Sequence, residues 1–121
     1  MARRRIAPAD GMAAVRAAVA GDTDRATVAT ATRYLLEELA ELAPGNALEV
    51  RIPPYGATQC LPGPRHTRGT PPGVVETDPQ SWLALATGRL EWDEALAEGR
   101  VVASGVRADL APHLPILRID A

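Results

Sequence analysis

Apolar residues recur with helical spacing at the start of the chain and with strand spacing near its middle. Met12, Val15 and Val19 fall on one side of a helix over 9–20, and Gly21 supplies the left-handed turn that closes it. From Asp24, a good N-cap, Val28, Ala31, Leu35, Leu39 and Leu42 form one stripe, while Arg33, Glu37, Glu38 and Glu41 lie off it. Pro44-Gly45 stops this second helix at 43. The period then drops to two: Leu48, Val50 and Ile52 alternate with Glu49 and Arg51, as in a strand with one wet face. Pro53-Pro54 turns the chain, and Tyr55 to Leu61, with Thr58 and Cys60 and few helix formers, predicts the second arm of a hairpin.

Residues 62–73 hold too many prolines and glycines for regular structure and predict one long loop, a feature that usually has a reason. Val74 to Thr77 restarts an extended segment. It runs into a helix at Asp78-Pro79, where a carboxylate meets free N–H groups and proline takes the first helical position. On that helix Trp82, Leu85 and Ala86 face inward and Gly88 ends it; a short helix over 92–98 closes at Gly99. Arg100 to Ser104 reads as a strand through Val101 and Val102. Gly105 then leads into a last helix starting near Arg107, with Leu110 and Leu114 on one face and Pro112 interrupting its length. The tail Ile116-Leu117-Arg118-Ile119 is apolar enough to pack back on the body or onto a second copy, as a homodimer contact. With no repeat, low-complexity tract or linker, the pattern predicts one domain over 1–121, with 1–8 as a flexible N-terminal tail.

Composition narrows the class. At 46% hydrophobic and 23% charged, the 121 residues fall in the range of folded globular domains. There is no Phe and there are two Trp and two Tyr, so Ala, Val and Leu must fill the interior. All thirteen basic residues are Arg, a bias we assign to codon usage, since a need for guanidinium geometry would not empty the surface of Lys. A net charge of −2 and a pI near 5.6 argue against nucleic acid as a partner, and Arg3, Arg4 and Arg5 read as a solvated tail. No apolar run approaches the ~20 residues of a membrane span, and none follows the Arg triplet as in a signal peptide, so a cytoplasmic protein with no integral membrane segment is expected. Cys60 is the single cysteine, which excludes an internal disulfide or a cysteine-based zinc cluster.

The order Asp78, Trp82-Leu83, Leu85, Thr87-Gly88-Arg89-Leu90, Ala95-Leu96, Gly99-Arg100-Val101, Ser104-Gly105 and Leu110 resembles the C-terminal half of sterol carrier protein domains. There a helix leads to a Gly-basic-Leu turn, a short helix to a Gly-basic-apolar strand, and a further Gly into a final helix. The resemblance covers about 37 residues, with weaker support from the helix at 24–43 and the hairpin at 47–61. The chain looks most like the short actinobacterial members, including its Gly63-Pro64-Arg65-His66-Thr67-Arg68-Gly69-Thr70-Pro71-Pro72 loop. It implies an α+β fold: a single twisted, mostly antiparallel sheet of about five strands with helices packed on one face. Between the layers it implies a hydrophobic cavity for an acyl chain, an acyl-CoA or a sterol-like lipid. The chain ends soon after its last helix, where the family often uses a C-terminal segment to close the cavity.

Leu35, Leu39, Trp82, Leu83, Leu85, Leu90, Leu96, Val101 and Leu110, together with Trp92, are the side chains that would line such a cavity, or else form ordinary core. Arg65, His66, Thr67 and Arg68 place two guanidinium forks, an imidazole and a hydroxyl in a glycine-flanked loop fit to meet an anionic head group or an acidic partner; solvated loop residues are the plainer reading. Cys60 and His66 invite a nucleophile and base, but no Asn or Asp is placed to orient the histidine, and a buried strand thiol is the simpler account. His113 reads as a surface or capping residue, and two histidines so far apart do not make a metal site. Glu91, Asp93, Glu94 and Glu98 suit the dipole of the short helix better than a calcium loop. The expected function is non-catalytic binding of a hydrophobic small molecule, without cofactor or metal. Alternatives are a protein-interaction or regulatory module with a solid core, using the loop 63–72 or the apolar tail, and an accessory domain. The last follows from Val101 to Leu110, which resembles the Val-x-x-Ser-Gly-x-x-x-Asp-Leu run of mycothiol-dependent maleylpyruvate isomerases, though the metal-binding bundle of those enzymes has no counterpart here.

Overall fold

A computed structural model describes residues 5–63, 73–106 and 108–119. Helix α1 (Pro8–Val19) packs against α2 (Arg25–Leu42). Contact is closest at Gly11, where any Cβ would overlap the ring of Tyr34. Asp24 caps α2 as expected, its carboxylate accepting from the Thr27 amide at 3.1 Å.

Four strands form in the segments where extended structure is expected, β1 (Leu48–Ile52), β2 (Gly56–Cys60), β3 (Gly73–Thr77) and β4 (Val101–Ser104), β1 with the predicted alternation of buried and open positions. They form one sheet in the order β2-β1-β3-β4. The hairpin pairs β1 with β2 antiparallel, Leu48 opposite Cys60 and Ile52 opposite Gly56. β3 lies parallel to β1 from Leu48 opposite Gly73, and β4 returns antiparallel to β3. Cys60 and Gly73 therefore flank the same residue, and the connection of 61–72 crosses only about two strand spacings, ~10 Å. The Leu61 amide donates to Ala43 O at 2.7 Å and the Gly73 amide to Ala47 O at 3.1 Å, so both ends of that connection are tied to the chain entering β1.

The described sheet has four strands rather than about five, two of its three pairings being antiparallel. Leu48, Val50, Ile52, Val75 and Thr77 are buried under the helices, while Arg51, Glu76 and Val102 face out, so the helices cover one face as expected. β3 leads into α3 (Pro79–Ala86), and α4 (Trp92–Ala97) precedes β4. Gly88 and Gly99, at φ 83° and 72°, take the left-handed conformation that ends these two helices.

Three expectations are corrected. The helix from Arg107 is reduced to a 3₁₀ turn over Ala111–His113; Arg107 itself lies outside the described residues. Pro112 and Pro115 each lack the amide that a longer helix needs, so it cannot propagate, yet Leu110 still reaches the core. Leu42, on the predicted inner stripe, is 64% exposed: it is the last residue of α2, and Ala43, which caps the helix and accepts from the Leu61 amide, is buried in its stead. Leu96 is 40% exposed: a six-residue helix turns only Trp92 and Ala95 inward, and the next position rotates away. Of the expected tail over 1–8, residues 5–7 run along α2 and Pro8 begins α1; residues 1–4 lie outside the described residues. No helix among the described residues is long and apolar enough to cross a membrane.

Candidate functional site

The side chains expected around a cavity part into three groups. Leu35, Leu39, Trp82, Leu83, Val101 and Leu110 are buried in one continuous hydrophobic cluster between sheet and helices. Leu85 and Leu90 belong to that cluster and also line a cleft. Leu96 does neither.

That cleft encloses about 310 Å³ between the end of α3, the start of α4 and the C-terminal segment. Leu85, Leu90 and Trp92 make its floor; Leu114 and Pro115 make the facing wall. The wall is fixed by two backbone bonds, from the Ile116 and Leu117 amides to Ala86 O at 2.8 and 3.0 Å. The apolar tail thus packs on its own body, half-buried. Arg118 lies at the rim against Gly88, facing Glu91 and Asp93. His113 is half-buried in the turn below, whose Ala111 amide is capped by Asp109 at 3.0 Å.

A larger cleft of about 710 Å³ opens on the far side of α2, between that helix, the N-terminal segment and β2. Leu36 forms part of its floor, and Arg33, Glu37 and Glu41 stand along its helical wall. Arg33 Nε donates to Tyr55 O at 2.8 Å with its guanidinium 6.0 Å from the centre of the Tyr55 ring, which fixes the cation beside the strand. Glu37 accepts from the Arg5 and Ile6 amides at 3.4 and 3.3 Å and so ties the N-terminal segment to the helix. The sequence reading did not single out Arg33, Tyr55 or Arg118. Each owes its position to a residue more than twenty places away, and no spacing along the chain signals that.

Arg65, His66, Thr67 and Arg68 lie outside the described residues. Cys60 is fully buried at the end of β2, and burial pushes its thiol up to about 11, the opposite of what a nucleophile requires. Asp93 and Glu94 occupy the first turn of α4, where negative charge suits the helix dipole.

A family model described as bacterial SCP ortholog matches residues 24–116. The chain belongs to this family. Membership agrees with the sterol carrier protein resemblance of residues 78–114 and extends it upstream through α2 and the β1–β2 hairpin. The matched span holds the whole described sheet and the floor of the smaller cleft, while α1 and Arg118 fall beyond it. No curated protein matches the chain.

Proposed function

We propose that the chain is a non-catalytic carrier of a hydrophobic small molecule, an acyl chain or sterol-like lipid, taken up through the cleft at Trp92. The observation that carries this reading is the continuity of cleft and core: Leu85, Leu90 and Trp92 belong to both. A ligand entering there meets side chains already withdrawn from water, at about 25 cal/mol per Å² of apolar surface buried. The outer wall is a short segment held by two amides to Ala86 O, and its displacement widens the cleft without breaking the sheet. At about 310 Å³ the closed form sits at the lower limit of ligand sites, which suits a short or partly inserted chain. Arg118 at the rim offers a guanidinium to a carboxylate head. Membership in a sterol carrier protein family supports the ligand class.

The test uses the purified protein. Native mass spectrometry with lipid extraction looks for a bound molecule, and thermal melts with octanoate or decanoate look for stabilisation, since a ligand that prefers the folded state must raise Tm. In a Trp82→Phe background Trp92 reports entry by its emission. Saturable shifts that weaken in Arg118→Glu are expected. Absence of co-purified lipid, together with unchanged Tm and emission, rejects the carrier reading.

A further inference from the structure

The groove beside β2 is unlike the smaller cleft, because one of its walls is an open sheet edge. Among the described residues β2 ends the sheet, so one ladder of its backbone N–H and C=O groups has no strand partner there. Gly56, Ala57 and Gln59 are exposed, and Gly56–Cys60 carries neither a charge nor a proline, the usual devices that blunt an edge. β4 forms the other edge, but neither cleft borders it.

Helix α2 runs beside β2 in the same direction. Arg33 bonds Tyr55 at one end, and the Leu61 amide bonds Ala43 at the other. Arg33 and Glu41 therefore stand at successive points along the strand edge, eight residues and ~12 Å apart on the helix. Neither makes an ion pair among the described residues. In an extended chain, side chains four positions apart share one face and lie ~13 Å apart, which matches that separation. The position midway between them falls against Leu36, Ala40 and Glu37, whose carboxylate already accepts from the Arg5 and Ile6 amides.

From this geometry we infer that the groove binds an extended segment of a partner protein by strand addition to β2. The segment reads, from N to C, basic, any, apolar, any, acidic. Antiparallel pairing is the more stable per residue, so the segment runs against β2 and α2 and passes Glu41 before Arg33. A lipid is a poorer occupant, because an acyl chain laid here strips water from the strand's unpaired backbone groups and returns no hydrogen bonds. A second copy is poorer too, since its own β2 has no charged side chain to offer Arg33 or Glu41.

The probe is the peptide Lys-Thr-Val-Thr-Glu, titrated into the ¹⁵N-labelled full chain. Shifts confined to the amides of β2 and the adjoining face of α2 are expected. The charge-reversed peptide Glu-Thr-Val-Thr-Lys binds about tenfold more weakly. In the double variant Arg33→Glu, Glu41→Arg the order of preference inverts; both residues are exposed, and circular dichroism verifies that the fold is kept. N-methylation of alternate peptide amides abolishes binding. The inference is overturned by no shifts at millimolar peptide, by no inversion in the folded double variant, by binding that survives N-methylation, or by a dimer formed through the β2 edge.

Discussion

Trp82 is fully buried, and its indole Nε1 donates at 3.2 Å to the carbonyl oxygen of Thr32 on the facing helix. The hydroxyl of Thr32 has no partner among the described residues in that same fully buried place. A buried polar group left unpaired costs about 1–3 kcal/mol, more than the few tenths at stake in helix propensity between Thr and Val. The backbone oxygen used by Trp82 does not depend on the side chain. Replacing Thr32→Val, which has nearly the same shape, should therefore raise the unfolding free energy by roughly 1 kcal/mol while Trp82 fluorescence stays native. Urea titration followed at Trp82 measures both quantities. A loss of stability would mean that the hydroxyl is satisfied in solution.

Among the elements, α3 depends most on one polar cluster. Asp78 accepts from the Ser81 amide at 3.0 Å and the Ser81 hydroxyl at 2.6 Å, and Ser81 Oγ accepts in turn from Arg100 Nε at 3.0 Å. Thr77 Oγ1 donates to Arg100 O at 2.5 Å, so the cap also ties α3 to the start of β4. Partial burial pushes the Asp78 carboxyl up, but the bonds from Ser81 and the nearby Arg100 charge outweigh it and hold the carboxyl below its ordinary value of 3.8. A carboxyl lowered in the folded state contributes stability above that ordinary value and loses it as pH falls through the folded one. Asp78→Ala should cost about 1 kcal/mol at pH 7 and much less near pH 2. Urea midpoints of both proteins at the two pH values test this, and an equal gap at both would remove the carboxylate from the account. This cap was legible in the Asp78-Pro79 pair, as were β1 in its alternation and the ends of α3 and α4 in Gly88 and Gly99. What was not legible depended on lengths and on distant partners. Leu42 and Leu96 obey helical spacing, but nothing along the chain says that Ala43 rather than Leu42 is covered at the end of α2 or that α4 has room for only two inward positions. The walls of the larger cleft join Arg33 to Tyr55, twenty-two residues on, and the parallel pairing of β3 with β1 depends on where the long connection crosses.

For the molecule as a whole, the helices and the C-terminal segment share one task, covering a four-stranded sheet on a single face. The two clefts lie toward opposite sides of that layer, one beside the free edge of β2 and the other beneath the tail. Leu114, Ile116, Leu117 and Ile119 are each half-buried on the core, and the tail adds the two backbone bonds to Ala86 O. Half-burial of such a side chain contributes about 1 kcal/mol, so the four together supply roughly 4 kcal/mol, a large share of the 5–15 kcal/mol typical of a small domain. A chain ended after His113 should therefore remain folded at 25 °C but lose about 3 to 4 kcal/mol in urea titration. It should also lose any decanoate-induced rise in Tm, because the wall of the smaller cleft has gone, while the shifts caused by the Lys-Thr-Val-Thr-Glu peptide at β2 persist. Loss of both responses in a folded truncated chain would show that the clefts are coupled through the core; retention of the decanoate response would place that ligand elsewhere than beneath the tail.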